Sequence, residues 1–153
     1  MAEAGDEITD YIKSPELLTS VIKENPDFVL ISGGGNDILG EQVQDILKSA
    51  VVNGSYATDF LKEDIFKQKL EQLRQGYISF FEKIHILKPD VKIFIHGYDY
   101  IRSAPDAKTI KSGWANRYMI KAGIDNIDHR ELILRHLGDT FNNMLKEFAD
   151  KYN

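Results

Sequence analysis

The segment Gly33-Gly34-Gly35-Asn36-Asp37 contains the residues that are best placed for chemistry in this chain. It directly follows an apolar run over residues 28–32, which has the length of a buried strand. In open α/β sheets, ligands bind beyond the carboxyl ends of the strands, and glycines there let backbone N–H groups come close to a substrate. We therefore expect this glycine turn, with Asn36 and Asp37 at the start of the next helix, to form a ligand-binding site.

His96 ends a second apolar run at the same predicted edge of the sheet as the glycine turn. It either contacts substrate or is a hydrogen-bonded structural histidine, since a general base also needs a nucleophile within reach. Tyr98 begins an aromatic stretch over residues 98–100, which either lines an acyl or sugar pocket or packs over the edge of the sheet. The candidates for substrate binding are therefore Gly34, Gly35, His96 and Tyr98.

Several other kinds of site do not fit the sequence. A dinucleotide-binding Gly-x-Gly-x-x-Gly motif would require glycine where Ile38 stands, and a phosphate-binding P-loop would require lysine where Glu41 stands. Ser32 lacks the glycine two positions earlier that a nucleophile elbow has, because Leu30 occupies that position. Cysteine is absent, and no His, Asp and Glu cluster has metal-ligand spacing. The sequence therefore predicts neither a cofactor nor a metal site.

Composition favours one globular domain. The chain has 153 residues, of which 42% are hydrophobic and 28% are charged. Its formal net charge of -5 and the lack of a basic stripe argue against nucleic-acid binding, which requires clustered Lys and Arg. The sequence contains neither an apolar run of transmembrane length nor a signal-peptide pattern, and it does not indicate a compartment.

Helical and strand signals alternate along the chain. Ser14 and Pro15 provide an N-cap and a first-turn proline, which predicts that a helix begins there and ends before Pro26. Apolar spacing predicts three further helices, and Gly76 marks a kink position in the longest of them. The predicted elements are helices over 15–25, 37–53, 59–87 and 134–152, strands over 28–32 and 91–96, and a long loop over 98–127.

The two predicted strands form equivalent units. Pro26-Asp27 precedes the first strand and Pro89-Asp90 precedes the second, and each pair follows a helix, as in successive units of a parallel α/β sheet. The connection between them should be right-handed. Two strands are too few to cover several helices with apolar faces, so this pattern predicts an α/β sheet that is incomplete within the chain.

Two segments resemble signature blocks of the SGNH, or GDSL, serine hydrolases, a family of esterases, lipases and acetylesterases. Gly35-Asn36-Asp37 resembles the third block, and Ala2-Glu3-Ala4-Gly5, followed by the helix that carries Tyr11, resembles the second. The resemblance implies a flavodoxin-like, three-layer parallel sheet with helices on both faces. It also implies that the N–H of Gly5 and the side-chain amide of Asn36 form an oxyanion hole, which stabilises the negative charge of a tetrahedral intermediate.

Two further blocks of that family do not occur in the sequence. The Gly-Asp-Ser block would precede Gly5, and the Asp-x-x-His block would follow a final strand; Asp125 and His129 have one residue too many between them. By the resemblance, residues 1–153 form a single SGNH-like domain that lacks the nucleophile and the base and is inactive as given. The implied substrate is a carboxylic ester of a small molecule, lipid or carbohydrate, and no cofactor is implied.

An alternative from a different class of function is a non-catalytic binding or oligomerising module that keeps an SGNH-like pocket. An incomplete sheet has exposed strand edges, and unpaired edges favour pairing with another chain. This alternative predicts a homo-oligomer.

Overall fold

The structure is a computed structural model that describes residues 7–49, 53–100, 102–103 and 115–152. Of these residues, 65% lie in helices and 8% in strands. The helices are α1 (Ile8–Lys13), α2 (Pro15–Glu24), α3 (Gly35–Leu39), α4 (Val43–Ile46), α5 (Glu63–Leu87), α6 (Asn116–Lys121) and α7 (Ile127–Tyr152), with one 3-10 helix (Ala57–Phe60). The strands are β1 (Phe28–Ile31) and β2 (Lys92–Ile95).

Local signals place α2 as the sequence predicts. Ser14 is the N-cap residue, and its hydroxyl accepts a hydrogen bond from the N–H of Leu17 at 3.2 Å. Pro15 occupies the first turn, where its missing N–H has no intrahelical partner to lose. The helix ends at Asn25, which adopts a left-handed conformation with φ of 45° before Pro26.

The strands pair in parallel, with Phe28 opposite Lys92 and Ile31 opposite Ile95, so the predicted parallel pairing is confirmed. The prediction of a flavodoxin-like three-layer sheet is wrong. In the part of the chain that the structure describes, the sheet has two strands, and most residues are helical. One isolated antiparallel bridge, between Leu47 and Leu61, lies outside this sheet.

The sheet is covered on one face. Ile31 points into the core and is 5% exposed, whereas Phe28, Leu30 and Phe94 on the opposite face are 62%, 66% and 54% exposed. The alternation follows from strand geometry, because successive side chains point to opposite faces. The sequence contains only two apolar runs of strand length, and a sheet so small leaves most apolar helix faces to pack against other helices.

The core lies between the helices. Phe148 of α7 packs against Tyr77 and Phe81 of α5, with ring centroids 5.8 and 5.6 Å apart. α5 is one continuous helix through Gly76, where a kink was predicted. The glycine instead gives α1 a close approach, because a Cβ at position 76 would lie 2.7 Å from a methyl group of Ile8.

Four predictions about the helices are wrong, and local structure explains the first two. The helix predicted over 37–53 is divided into α3 and α4, because the chain is extended at Gly40. The long helix begins at Glu63 rather than at Asp59, whose carboxylate instead accepts the N–H groups of Ser55 and Tyr56 at 2.8 and 2.9 Å. The segment predicted as a loop contains α6, and α7 begins at residue 127 rather than 134.

Candidate functional site

Gly34 is the tightest position of the glycine turn. Its φ of +87° lies in the left-handed region, which glycine adopts without steric cost. A Cβ at this position would lie 2.7 Å from the ring of Phe141 and 2.9 Å from the hydroxyl oxygen of Tyr77. Both the backbone conformation and the packing therefore require glycine at position 34.

The two neighbouring glycines are also covered by aromatic rings. A Cβ at Gly33 would lie 2.6 Å from the ring of Tyr11, and a Cβ at Gly35 would lie 2.8 Å from the ring of Tyr98. With Phe141 on Gly34, each glycine of the turn faces a different aromatic side chain. Side chains from α1, α7 and the segment after β2 thus fix the path of the turn.

Two tyrosine hydroxyl groups hold the backbone that leads into the turn. Tyr77 donates a buried hydrogen bond to the carbonyl oxygen of Gly33 at 2.8 Å, and Tyr11 donates an exposed one to the carbonyl oxygen of Ser32 at 2.9 Å. Burial raises the pKa of Tyr77, with smaller contributions from the nearby Tyr98 and Asp37. The Tyr77 hydroxyl therefore keeps its proton and remains a donor at neutral pH.

Asn36, the predicted oxyanion-hole residue, is half-buried and lies in the first turn of α3. Gly5, its predicted partner, lies outside the described residues. The convergence of these two residues on one carbonyl oxygen therefore stays a prediction.

Asp37 serves a different helix from the one that the sequence suggested. An aspartate at the start of a helix commonly caps that helix, but the carboxylate of Asp37 accepts the N–H of Ile8, at the start of α1, at 3.1 Å. The pKa of Asp37 is raised from 3.8 to about 6. Burial is the main cause and the negative charge of Glu7 adds to it, while the hydrogen bond from Ile8 opposes both effects. Asp37 thus connects the turn to α1.

At the end of β2, His96 and Tyr98 take different positions. His96 is exposed, and its Nδ1 atom lies 2.9 Å from the carbonyl oxygen of Gly97. Tyr98 is half-buried, and its ring centroid lies 5.6 Å from that of Phe141. The structure therefore brings Tyr98 onto the glycine turn, whereas His96 lies at the surface beside it, 5.9 Å from Tyr98 between ring centroids.

Asn142 of α7, which the sequence did not single out, positions Tyr98. Its Oδ1 atom accepts the N–H of Tyr98 at 3.0 Å, and its Nδ2 atom donates to the carbonyl oxygen of Tyr98 at 2.8 Å. The side-chain amide thereby satisfies both backbone groups of residue 98, as a neighbouring strand would. In the sequence, Asn142 is only one position of a helical pattern. That pattern gives no sign that its side chain binds the backbone of Tyr98.

An apolar cavity lies between the glycine turn, the segment after β2 and α7. It brings together three of the predicted substrate-binding residues, Gly34, Gly35 and Tyr98. Its volume is about 10 Å³, which is close to the room that one water molecule needs. The lining residues are Gly34, Gly35, Ile38, Leu39, Tyr98, Asp99, Leu134, Leu137, Gly138 and Phe141.

A separate buried polar cluster joins α7 to the segment around α6. The side chain of Arg130 is 4% exposed and donates to the hydroxyl of Ser103 at 2.9 Å and to the carbonyl oxygen of Asp125 at 2.7 Å. His129 packs against Phe60, with ring centroids 4.8 Å apart. These contacts stabilise the first turn of α7. None of these side chains lines the cavity beside the glycine turn.

The described residues contain neither a candidate membrane span nor a candidate metal site. Within the described ranges, no helix is both long and apolar enough to cross a bilayer. No group of three or more His, Asp or Glu side chains in those ranges is arranged to hold a metal ion. Comparison with protein-family models, curated proteins and solved structures found no match for this chain.

Proposed function

We propose that the turn Gly33–Asp37 binds the carbonyl group of a carboxylic ester, the role that the resemblance to SGNH-type serine hydrolases implies for it. The observation that carries the proposal is the apolar cavity bordered by Gly34 and Gly35. An ester presents a polar carbonyl group directly beside an apolar acyl group. A turn rich in N–H donors next to an apolar cavity matches that combination.

The donors near the cavity suit a carbonyl oxygen. Gly34 is the N-cap residue of α3 and Gly35 is its first residue, so their N–H groups have no acceptor within that helix. The side-chain amide of Asn36 adds a donor by the resemblance. Fixed donors of this kind stabilise the oxyanion of ester hydrolysis, and losing one typically costs about 2.7 to 4 kcal/mol of barrier.

Titration of the ¹⁵N-labelled chain with methyl acetate tests this proposal. We expect the amide signals of Gly34, Gly35 and Asn36 to shift with saturation, and we expect diethyl ether, which has no carbonyl group, not to shift them. Asn36→Ala should weaken the binding, and Asn143→Ala, at an exposed position of α7, is the matched control. Absence of shifts at the turn, or equal binding by both variants, would contradict the proposal.

A fluorophosphonate probe tests whether the same site also carries a nucleophile. The Gly-Asp-Ser block of the family does not occur in this sequence, so we expect no covalent adduct with the 153-residue chain. A stoichiometric adduct, located by peptide mass spectrometry, would identify a serine of this chain as the nucleophile and would extend the proposal from binding to hydrolysis.

A second candidate function, self-association, is favoured by the outer face of the sheet. Phe28 and Phe94 form an edge-to-face pair there with ring centroids 6.1 Å apart, and Leu30 lies beside them, all more than half exposed. An exposed apolar cluster on a small sheet is typical of an interface, and a second copy presents the same surface.

Size-exclusion chromatography with light scattering tests this second candidate. We expect the unaltered chain to form a dimer and Phe94→Lys to be monomeric. Tyr56→Lys, which changes another exposed aromatic residue, should remain dimeric. A monomeric unaltered chain at all accessible concentrations would rule out this function.

A further inference from the structure

Two buried side chains of the cluster around Ser103 carry donor groups that no described residue accepts. Arg130 is 4% exposed; its Nε atom donates to the hydroxyl of Ser103, and its Nη1 atom donates to the carbonyl oxygens of Ile124 and Asp125. Asn116 is 3% exposed, and its Oδ1 atom accepts the hydroxyl proton of Ser103 at 2.8 Å. Among the described residues, neither Nη2 of Arg130 nor Nδ2 of Asn116 has an acceptor.

These two unused donors belong to one hydrogen-bonded unit. The hydroxyl of Ser103 accepts from Arg130 and donates to Asn116, so one oxygen atom joins the guanidinium group to the amide. Every fully buried side-chain nitrogen and oxygen in the described ranges has a partner, so Nη2 and Nδ2 must reach solvent through the small exposed areas of their residues. A ligand therefore has access to them only with a small group.

The charge of Arg130 has no direct counter-ion in the part of the chain that the structure describes. The guanidinium group is always protonated, and its three hydrogen bonds go to uncharged oxygen atoms. The carboxylate of Glu131 accepts the N–H of Ser103 and forms no ion pair with Arg130. A buried charge without a partner is destabilising, and water at the opening accepts hydrogen bonds without neutralising it.

We infer that Arg130 and Asn116 bind the carboxylate group of a small ligand. Donors on two side chains match the two oxygen atoms of a carboxylate, and its single negative charge matches the single positive charge of the guanidinium group. Arg130 lies near the N-terminus of α7, where the helix dipole also favours an anion. A phosphate dianion would bring a second negative charge close to Glu131, so phosphate is disfavoured.

This site is separate from the candidate ester site. Neither Arg130 nor Asn116 lines the cavity beside the glycine turn, and the inference does not rest on the proposed function. It adds an anion-binding site between α6 and α7, whereas the ester site lies between the glycine turn and α7.

Titration of the ¹⁵N-labelled full chain with sodium formate, the smallest carboxylate, tests the inference. We expect the side-chain Nε–H signal of Arg130 to shift with saturation and the amide signals of the glycine turn not to shift. Sodium chloride at the same ionic strength should give no saturable shift, and sodium phosphate should bind more weakly than formate. Formate should also raise the melting temperature, because a ligand that binds only the folded state stabilises it.

Two substitutions change the charge of the site in opposite ways while keeping its hydrogen bonds. Asn116→Asp keeps an acceptor for the hydroxyl of Ser103 and supplies a negative charge from within the chain, so formate should bind about tenfold or more weakly. Glu131→Gln keeps an acceptor for the N–H of Ser103 and removes a negative charge, so formate should bind about threefold or more tightly. Glu82→Gln, at an exposed position of α5, should bind as the unaltered chain does.

Circular dichroism melting shows whether each variant is folded, and the comparison of anions in the unaltered chain does not depend on any variant. Absence of a saturable shift of the Arg130 signal would overturn the inference, as would phosphate binding as tightly as formate. Unchanged binding by folded Asn116→Asp would remove Asn116 from the site. Equal or weaker binding by folded Glu131→Gln would contradict the match of charge on which the choice of a carboxylate depends.

Discussion

The hydroxyl group of Tyr77 donates a hydrogen bond of 2.8 Å to the carbonyl oxygen of Gly33 inside the protein. Tyr77 lies in the middle of α5, and Gly33 is the first residue of the glycine turn. A buried carbonyl group needs a partner, because an unsatisfied one is destabilising. This single bond therefore links the helical core to the candidate ester site.

Tyr77→Phe should destabilise the protein by about 1 to 3 kcal/mol, because it leaves the Gly33 carbonyl buried without a donor. Tyr11→Phe removes an analogous bond to Ser32 that is exposed, so water replaces it and the loss should be smaller. Urea unfolding followed by circular dichroism measures both values. Equal losses for the two variants would contradict this account of the turn.

Gly34→Ala should destabilise the protein by at least about 2 kcal/mol. The left-handed backbone costs a side-chain-bearing residue about 1 to 2 kcal/mol, and the contact with Phe141 adds an overpacking penalty of about 1 to 3 kcal/mol. In a Phe141→Leu background the loss should be smaller, because the backbone penalty and the contact with the Tyr77 hydroxyl remain but the contact with the phenylalanine ring does not. A double-mutant cycle measures the difference, and strict additivity would show that the ring does not limit position 34.

Asp37→Asn should change how stability depends on pH. Since burial raises the pKa of Asp37 from 3.8 to about 6, the folded protein binds this proton more tightly than the unfolded chain. The resulting stability is fully present below about pH 4 and is lost as the pH rises to about 6, by up to about 3 kcal/mol.

The asparagine variant keeps an acceptor for the N–H of Ile8 and carries no charge. It should therefore be more stable than the unaltered protein at pH 7, and its stability should lack the decrease between pH 4 and 6. Thermal melting at several pH values measures this. Asp150→Asn, at an exposed position, should keep the decrease, and a variant of Asp37 that also kept it would refute the assignment.

Asn142→Ala should destabilise the protein by about 1 to 3 kcal/mol, because both backbone groups of Tyr98 lose their partner. Hydrogen exchange of the Tyr98 amide should also become faster. Asn143→Ala changes the exposed neighbour on the same helix and should stay within about 0.5 kcal/mol of the unaltered protein. Similar effects of the two substitutions would mean that Asn142 does not hold Tyr98.

Gly138→Ala should stabilise the protein by about 0.5 to 1 kcal/mol, because alanine restricts the unfolded chain and an added Cβ meets no neighbour within 4 Å. Gly76→Ala is the opposite case, since its Cβ would press on Ile8, and it should be destabilising. Urea unfolding shows whether each substitution raises or lowers the free energy of unfolding. A loss of stability for Gly138→Ala would show that the position is packed.

Elements with local signals were predictable from the sequence. The apolar runs located β1 and β2 to within one residue at each end, and Ser14 located the start of α2. The number of layers was not predictable, because an apolar helix face looks the same whether it packs on a sheet or on another helix. Tyr77 and Phe81 face Phe148 of α7, and nothing in their spacing distinguishes that partner from a strand.

The candidate site was predictable only in part, for a related reason. The strand and glycine pattern indicated the turn itself. The reasons for its glycines are Tyr11, Phe141 and Tyr98, which are distant in sequence and carry no mark of this contact. Gly138 and Asn142 likewise depend on where α7 passes the turn, which is a property of the tertiary structure.

The parallel pairing of β1 and β2 has a consequence for the folding rate. The whole of α3, α4 and α5 separates the two strands in sequence, so their ladder closes a long stretch of chain. Closing such a stretch has a large entropic barrier before any contact compensates for it. A chain that is mostly helical should therefore acquire its helices first and refold more slowly than a helical bundle of the same length.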